Sequence, residues 1–264
     1  MRTITREAIN NFKLYLYEEE KSDNTIEKYM RDVRRFEMWI NGRTVEKSVV
    51  LEYKKALCEN YAPRSVNSML SSLNAFFDFI GWSEAKVKTL KIHAQIFADR
   101  NKELTKAEYI RLLTAAKKTK NERLYFIMQT IGSTGIRISE LKFITTDAIK
   151  SGQASINCKG RLRKVFLPSA LCTMLKKYAN KYGIKSGSVF VTKSGKPIDR
   201  SNIWREMNRL CEIADVEKGK VFPHNLRHLF ARVYYSLQKD IVILADILGH
   251  SSINTTRIYT AEAV

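Results

Sequence analysis

Ile26, Tyr29, Val33, Phe36 and Ile40 follow one another at steps of three and four residues. That period lays them along one stripe of an α-helix and conflicts with the alternation of a strand. The same spacing runs through Ile9, Phe12 and Leu16, and again through Val66, Leu70, Leu73, Phe76, Phe77 and Ile80. The first eighty residues therefore predict four helices, over about residues 5–20, 24–41, 49–59 and 63–80. Asn24 is the expected N-cap of the second, with Glu27 three residues on, and Gly42 ends it. Pro63 sits in the first turn of the fourth, where its missing N–H costs nothing. Four apolar stripes with no strand pattern among them bury one another as a small helical domain.

The periodicity stops over residues 83–101, SEAKVKTLKIHAQIFADRN. This basic stretch has no amphipathic stripe and reads as a linker between a domain of residues 1–82 and one of residues 102–264. The second domain opens on a capping box, Thr105 with Glu108. A helix follows over about residues 122–134. Ala154, Ile156 and Cys158 then alternate with polar residues, as do Val165 and Leu167 beyond Gly160. This predicts a β-hairpin with a basic tip of Lys159, Arg161, Arg163 and Lys164. A helix over about residues 169–182, a short strand within SVFVTKSGKPIDR and a helix at SNIWREMNRLCEIA come next. The fold class is mainly α with a small β component: a four-helix N-terminal domain, then a mixed α/β domain.

Charge narrows the partner. The 46 basic residues exceed the 27 acidic ones, giving a formal +19 and a pI near 9.8. Residues 1–100 carry +3 and residues 101–264 carry +16. Such an excess seeks a polyanion. Arg31, Arg34, Arg35 and Arg64 are the helical domain's candidates for phosphate contacts, as Arg161, Arg163 and Lys164 are the hairpin's. Each could equally be a solvated charge. The start MRTITREAIN lacks a signal peptide's apolar run, and no stretch approaches a membrane span. Cys58, Cys158, Cys172 and Cys211 form no CxxC pair, so neither a zinc site nor a disulfide framework is expected. That cysteine usage fits a reducing cytoplasm.

The chemistry-bearing residues concentrate near the end, in FPHNLRHLFARVYYSLQKDIVILADILGHSSINTTRIYT. His224 and Arg227 are three apart and share a helix face. His250 follows a Leu-Gly helix stop, and Tyr259 comes nine residues later on what reads as one more short helix. A cation, two imidazoles and a phenol suit attack on a phosphodiester. Upstream, Arg137 follows the turn at Gly135, with Glu140 three residues on. That pair reads as a structural ion pair or as part of a site. His228 reads as packing or as a support to the site, while Tyr234 and Tyr235 lie among apolar neighbours and read as core.

Arg137 in TGIRISEL, Lys159 in CKGRLRK, HNLRH, LGH at His250 and Tyr259 form an ordered set. Together they resemble the tyrosine recombinases, the phage-integrase and Xer-type site-specific recombinases. The resemblance covers the whole chain and implies a core-binding helical domain followed by a catalytic domain. It implies that Tyr259 attacks a DNA phosphate and is left as a 3′-phosphotyrosine. Arg137 and Arg227 would hold the non-bridging oxygens, and Lys159 would protonate the leaving 5′ oxygen. His224 would act as acid/base partner, and His250 would donate to the phosphate. Glu140 would orient the site. No cofactor, metal or ATP is implied. The expected partner is double-stranded DNA carrying a core site, bound by a homotetramer across two sites, with a monomer or weak oligomer off DNA. The expected location is the cytoplasm, on a prokaryotic nucleoid. The chain ends five residues after Tyr259. Family members often continue into a helix that docks on a neighbour, so the Tyr259 segment is expected to be mobile or delivered by another subunit. Two other readings stay open: a DNA-binding protein of this fold without turnover, and relaxation of the type IB topoisomerase kind.

Overall fold

Asp32 shows how the first four helices are locked together. The computed structural model describes residues 2–92, 102–158, 161–192, 195, 196, 198–250 and 252–259; the side chains of Cys158 and Arg161 are outside that description. The helices are α1 (Arg6–Glu18), α2 (Asp23–Ile40), α3 (Lys47–Asn60) and α4 (Pro63–Phe79). Their stripes meet in one core, where Phe12, Val33, Phe36, Leu70, Phe76 and Phe77 are all buried. Phe12 packs its ring on Phe76 at 5.2 Å and Phe36 packs on Phe77 at 5.9 Å, both edge-on. Beside these rings the carboxylate of Asp32 accepts from Ser72 Oγ at 2.9 Å and pairs with Lys28 Nζ at 3.1 Å. Lys28 also donates to the Ser68 carbonyl, so a closed polar link fastens α2 to α4.

Two local details differ from expectation. Helix α2 starts at Asp23 with Ser22 as its N-cap residue, and Asn24 is already helical. Ser22 holds the extended backbone a cap needs, and its hydroxyl meets that of Thr25 at 2.9 Å. The stretch expected to link the domains begins inside the first core. Ala85 and Val87 are buried there. The Asn74 side chain bonds both backbone groups of Val87, and Asn67 bonds both of Leu90. Asparagines on the rim of α4 thus pair an irregular segment that shows no helical period. The remainder of that stretch, from residue 93 to 101, lies outside the described residues. The chain divides into compact units of residues 1–94 and 95–264.

In the second unit α5 (Lys106–Lys118) and α6 (Glu122–Thr134) lead to a 3-10 helix at Ile138–Phe143 and to α7 (Thr146–Ser151). Antiparallel strands β1 (Gln153–Cys158) and β2 (Arg161–Phe166) follow, in a register that sets Ala154 opposite Val165 and Ile156 opposite Arg163. Then come α8 (Ser169–Lys181), α9 (Arg200–Ala214), α10 (Pro223–Gln238) and α11 (Ile241–Leu248), and single 3-10 turns at Ile253–Thr255 and Arg257–Tyr259. The Thr105–Glu108 capping box forms as expected. Of the short strand expected after α8, the described residues show a bridge of Ser188 with Thr145 and a further bridge residue at Val191. Val189 and Phe190 are buried in the core of the second unit, so their apolar character reflects core packing. Helix α10 packs against α6, and α5 against α9. Arg111 of α5 donates to the carbonyls of Ala214 and Asp215 at the end of α9, satisfying acceptors the helix leaves unpaired. The two-stranded sheet buries its inner face of Ala154, Ile156 and Val165 and leaves Leu162 and Phe166 exposed on the other.

Candidate active site

Gly135 caps α6 in the left-handed conformation, at φ +65°. A Cβ there would lie 2.4 Å from the Phe230 ring, so glycine permits both the turn and the approach of α10. The turn delivers Arg137. Its backbone N–H donates to Glu140 Oε2 at 2.7 Å and its Nη1 to Oε1 at 3.1 Å. Its Nη2 reaches the Gly249 carbonyl at 3.3 Å, and the side chain keeps 36% of its surface. Glu140 itself is buried.

Arg227, on the second turn of α10, is the largest side chain that is fully buried. Nη1 donates to the Gly135 carbonyl and Nη2 to the Leu248 carbonyl, each at 2.6 Å. Nη2 also lies 3.0 Å from His250 Nε2. A guanidinium can only donate, so Nε2 is the acceptor and Nδ1 carries the hydrogen, which goes to Thr256 Oγ1 at 2.8 Å. Nε of Arg227 is buried with no hydrogen-bond partner. Among the described residues no carboxylate pairs with this guanidinium, and burial brings its pKa down to about 10.

Tyr259 closes the cluster and belongs to the same chain as the rest. Its ring meets His228 edge-on at 5.1 Å and lies 6.4 Å from His250. Its N–H donates to the carbonyl of Thr256, the residue that also holds His250. The phenol is buried among Ala231, Leu244 and Leu248. It sits on a short helix, as expected, of the 3-10 kind. Burial pushes its pKa up, while the charges of Arg227, Arg137 and Arg232 pull it back down. His228 also packs on His224, ring to ring at 4.5 Å, and its Nε2 is buried without a partner. Burial and the surrounding cations hold the pKa of His228 and of His250 down to about 4. His224 is shifted the same way, by burial and then by Arg227, Arg137 and Arg200. All three imidazoles are therefore neutral near pH 7, in a field that an anion would reverse.

A cavity of about 660 Å³ opens beside these groups, lined by Arg137, His224 and Arg227. Arg200, Trp204 and Arg205 of α9 line it too, and sequence reasoning passed over them. A signal was available: positions 200, 201, 204 and 205 share one side of α9, flanking the buried stripe of Ile203, Met207 and Leu210. The structure thus brings Arg137, Glu140, His224, Arg227, His228, His250 and Tyr259 together from four segments. Lys159 lies outside the described residues, as does the side chain of Arg161. Lys164 is exposed on the hairpin. Arg163 is not a free surface cation: it turns inward to Glu140 Oε2 at 2.8 Å and to the Ile247 carbonyl. Its place on the buried face of the hairpin, opposite Ile156, removes it from the contacts expected of a basic tip. In the first unit Arg31, Arg34 and Arg35 line one groove of about 590 Å³ with Lys13, and Arg64 is exposed elsewhere on that unit. Tyr234 and Tyr235 pack beside the Tyr259 cluster, as core residues. Among the described residues no group of three His, Cys, Asp or Glu is placed to hold a metal ion, and no helix is long and apolar enough to cross a membrane.

Residues 102–264 match the phage integrase family, and residues 9–84 match the phage integrase N-terminal SAM-like domain. The chain is 30% identical to the tyrosine recombinase XerA of Thermococcus kodakarensis over 98% of its own length and 92% of that protein. It is 25% identical to the tyrosine recombinase XerD of Halalkalibacterium halodurans, over 95% and 92% of the two chains. Its fold matches a lambda integrase from a tetramer bound to a Holliday junction with a TM-score of 0.77, at 18% identity, covering 97% of this chain and 77% of that one.

Proposed function

The chain belongs to the phage integrase family, tyrosine recombinases that cleave and rejoin DNA strands through a tyrosine intermediate, and on that premise we propose that Tyr259 is the attacking residue. The observation that carries this reading is the seat of Tyr259, against His228 and His250 and within the field of Arg137 and Arg227. Ionising a phenol of pKa near 10 at neutral pH costs about 4 kcal/mol. Burial adds to that cost, and the two arginines offset it.

The scissile phosphate enters the cavity between Arg137 and Arg227, whose guanidiniums donate to its non-bridging oxygens. Arg227 then shares Nη2 with the phosphate, and His250 Nε2 loses its donor. The phosphate's charge favours the imidazolium, so His250 gains a proton and donates to the phosphate. His224, exposed at the cavity, serves as acid/base partner. The Tyr259 hydroxyl passes its proton to His224 and its oxygen bonds to phosphorus as the bond to the 5′ oxygen breaks, and Lys159 gives the leaving 5′ oxygen a proton. The phosphodiester energy is kept in the phosphotyrosine, so a 5′ hydroxyl from a second duplex reverses the step and joins new strands. Glu140 keeps Arg137 aimed. Arg31, Arg34, Arg35, Arg64, Arg161 and Lys164 supply phosphate contacts along the duplex. Four copies act on two core sites, in the cytoplasm on chromosomal DNA; the lambda integrase of similar fold forms a tetramer on a Holliday junction.

A nicked duplex carrying the core site, from which the cleaved fragment diffuses away, tests this. Wild type accumulates a covalent protein–DNA adduct, and Tyr259→Phe forms none while binding the same duplex. An adduct with Tyr259→Phe overturns the assignment of the nucleophile. Absence of an adduct with wild type favours a binding protein, and supercoil relaxation without strand exchange favours a relaxing enzyme.

A further inference from the structure

Three consecutive carbonyls at the end of α11 are each taken by a different arginine. Ile247 accepts from Arg163, Leu248 from Arg227 and Gly249 from Arg137. His250 is the next residue. The last carbonyls of a helix have no partner within it and carry its negative end, which is why cations collect there. Two of these arginines have already been given to the phosphate. The third belongs to the hairpin and has no place in that chemistry.

We propose that Arg163 is a positioning residue for strand transfer, holding Glu140, and through it Arg137, with one arm of its guanidinium and the α11 terminus that carries His250 with the other. The geometry supports each half. Glu140 divides its oxygens: Oε1 faces Arg137 Nη1, and Oε2 accepts from both the Arg137 backbone and Arg163 Nη2. Sharing this one buried carboxylate between two guanidiniums leaves Arg137 only partly neutralised, half-exposed at the cavity and bound to Gly249 by a long contact it can exchange for a phosphate. Arg163 is 16% exposed and Glu140 1% exposed, so neither can be replaced by water without rearrangement. Gly249 protects the arrangement. A Cβ there would stand 2.6 Å from Arg163 Nε. A planar fork serves two acceptors at once, which a lysine cannot do in the same directions.

The inference rests on the assignment of Arg137 and His250 to the phosphate. The test uses the full chain and a duplex selected from a random library by binding of wild type, nicked beside the cleaved position. Arg163→Lys keeps the charge and one contact, so it carries the measurement; the single variants Arg163→Gln and Glu140→Gln and the double variant that combines them accompany it. The expected result for Arg163→Lys is unchanged DNA affinity, an unchanged slope of log affinity against log salt, and cleavage of the bound duplex slowed on the order of 100-fold, the scale of a misplaced reacting group. The double variant is expected to cleave no more slowly than the slower single, because both act through one network. A salt slope reduced by about one, with normal cleavage once bound, would mark Arg163 as a simple phosphate contact and overturn the proposal. Wild-type cleavage by Arg163→Lys, or additive losses in the double variant, would also overturn it. If wild type itself forms no adduct, the underlying assignment fails; if wild type reacts and Arg163→Lys reacts equally fast, only the role of Arg163 fails.

Discussion

Each unit of this chain buries a charged group, and the two are treated differently. In the first unit Asp32 is met by two cations, Lys28 at 3.1 Å and Arg31 at 3.5 Å, and by the Ser72 hydroxyl, so its charge is answered although its Oδ1 accepts no hydrogen bond. In the second, Arg227 is met by two neutral carbonyls and a neutral imidazole. A buried cation without a counter-ion is costly, and folding alone gains nothing by keeping one. The first arrangement is a fastening between helices. The second is a receptor left one negative charge short, which a phosphate would supply. Glu140 sharpens the point: this buried carboxylate is divided between Arg137 and Arg163 and is not spent on Arg227.

Exchanging the two charges separately should move opposite properties. Arg227→Gln removes the unanswered cation; cleavage of bound DNA should fall by on the order of 1,000-fold, the scale of a lost oxyanion donor, with little loss of stability. A comparable fall in melting temperature would show that Arg227 is a structural charge after all. Asp32→Asn should do the reverse. It breaks a buried pair, so the first unit should lose about 2–4 kcal/mol in urea unfolding while the cleavage rate of folded, bound protein stays at the wild-type level. A slowed cleavage step there would erase the distinction between the units.

Acid should separate them more gently. His228 and His250 are held at about 4 in the folded chain, against an ordinary value of 6.5. Between those values the unfolded chain binds protons that the folded chain does not, so stability falls as pH drops from about 6.5 toward 4. Each histidine contributes at most about 1.4 kcal/mol per pH unit. His224, His228 and His250 all belong to the second unit, which should therefore lose stability first. Trp204 reports on that unit, and Trp39 and Trp82 on the other. Fluorescence melts of Trp204→Phe and of the Trp39→Phe, Trp82→Phe double variant should diverge below pH 6.5, and His228→Phe should reduce the divergence. Parallel melts from pH 7 to 5 would contradict the assigned shifts.

What the sequence disclosed follows the range of the interactions. The capping box of Thr105 and Glu108, Pro63 at its helix start and the four apolar stripes are local, and all were legible. So was the order of the site residues, since spacing carries it. Ser22 displaced Asn24 as cap because two capping residues stood close together and only the backbone chooses between them. Val189 and Phe190 resembled a strand because a short apolar run says buried without saying how. Arg163 was the hardest to place. Its partners are 23 and 84 residues away, and a basic hairpin looks alike whether its cations point out or in. Arg200, Trp204 and Arg205 carried a helical-face signal that was visible once the apolar face of α9 was drawn.

The identity of the tyrosine that receives the DNA decides the account most directly. Adduct formed by wild type on the nicked duplex would be digested with nuclease and protease and the nucleotide-bearing peptide sequenced by mass spectrometry. The account predicts a single modified residue, Tyr259, within three residues of Thr256 and joined through a 3′ phosphate. A nucleotide on Tyr234 or Tyr235, or on any residue other than Tyr259, would contradict it.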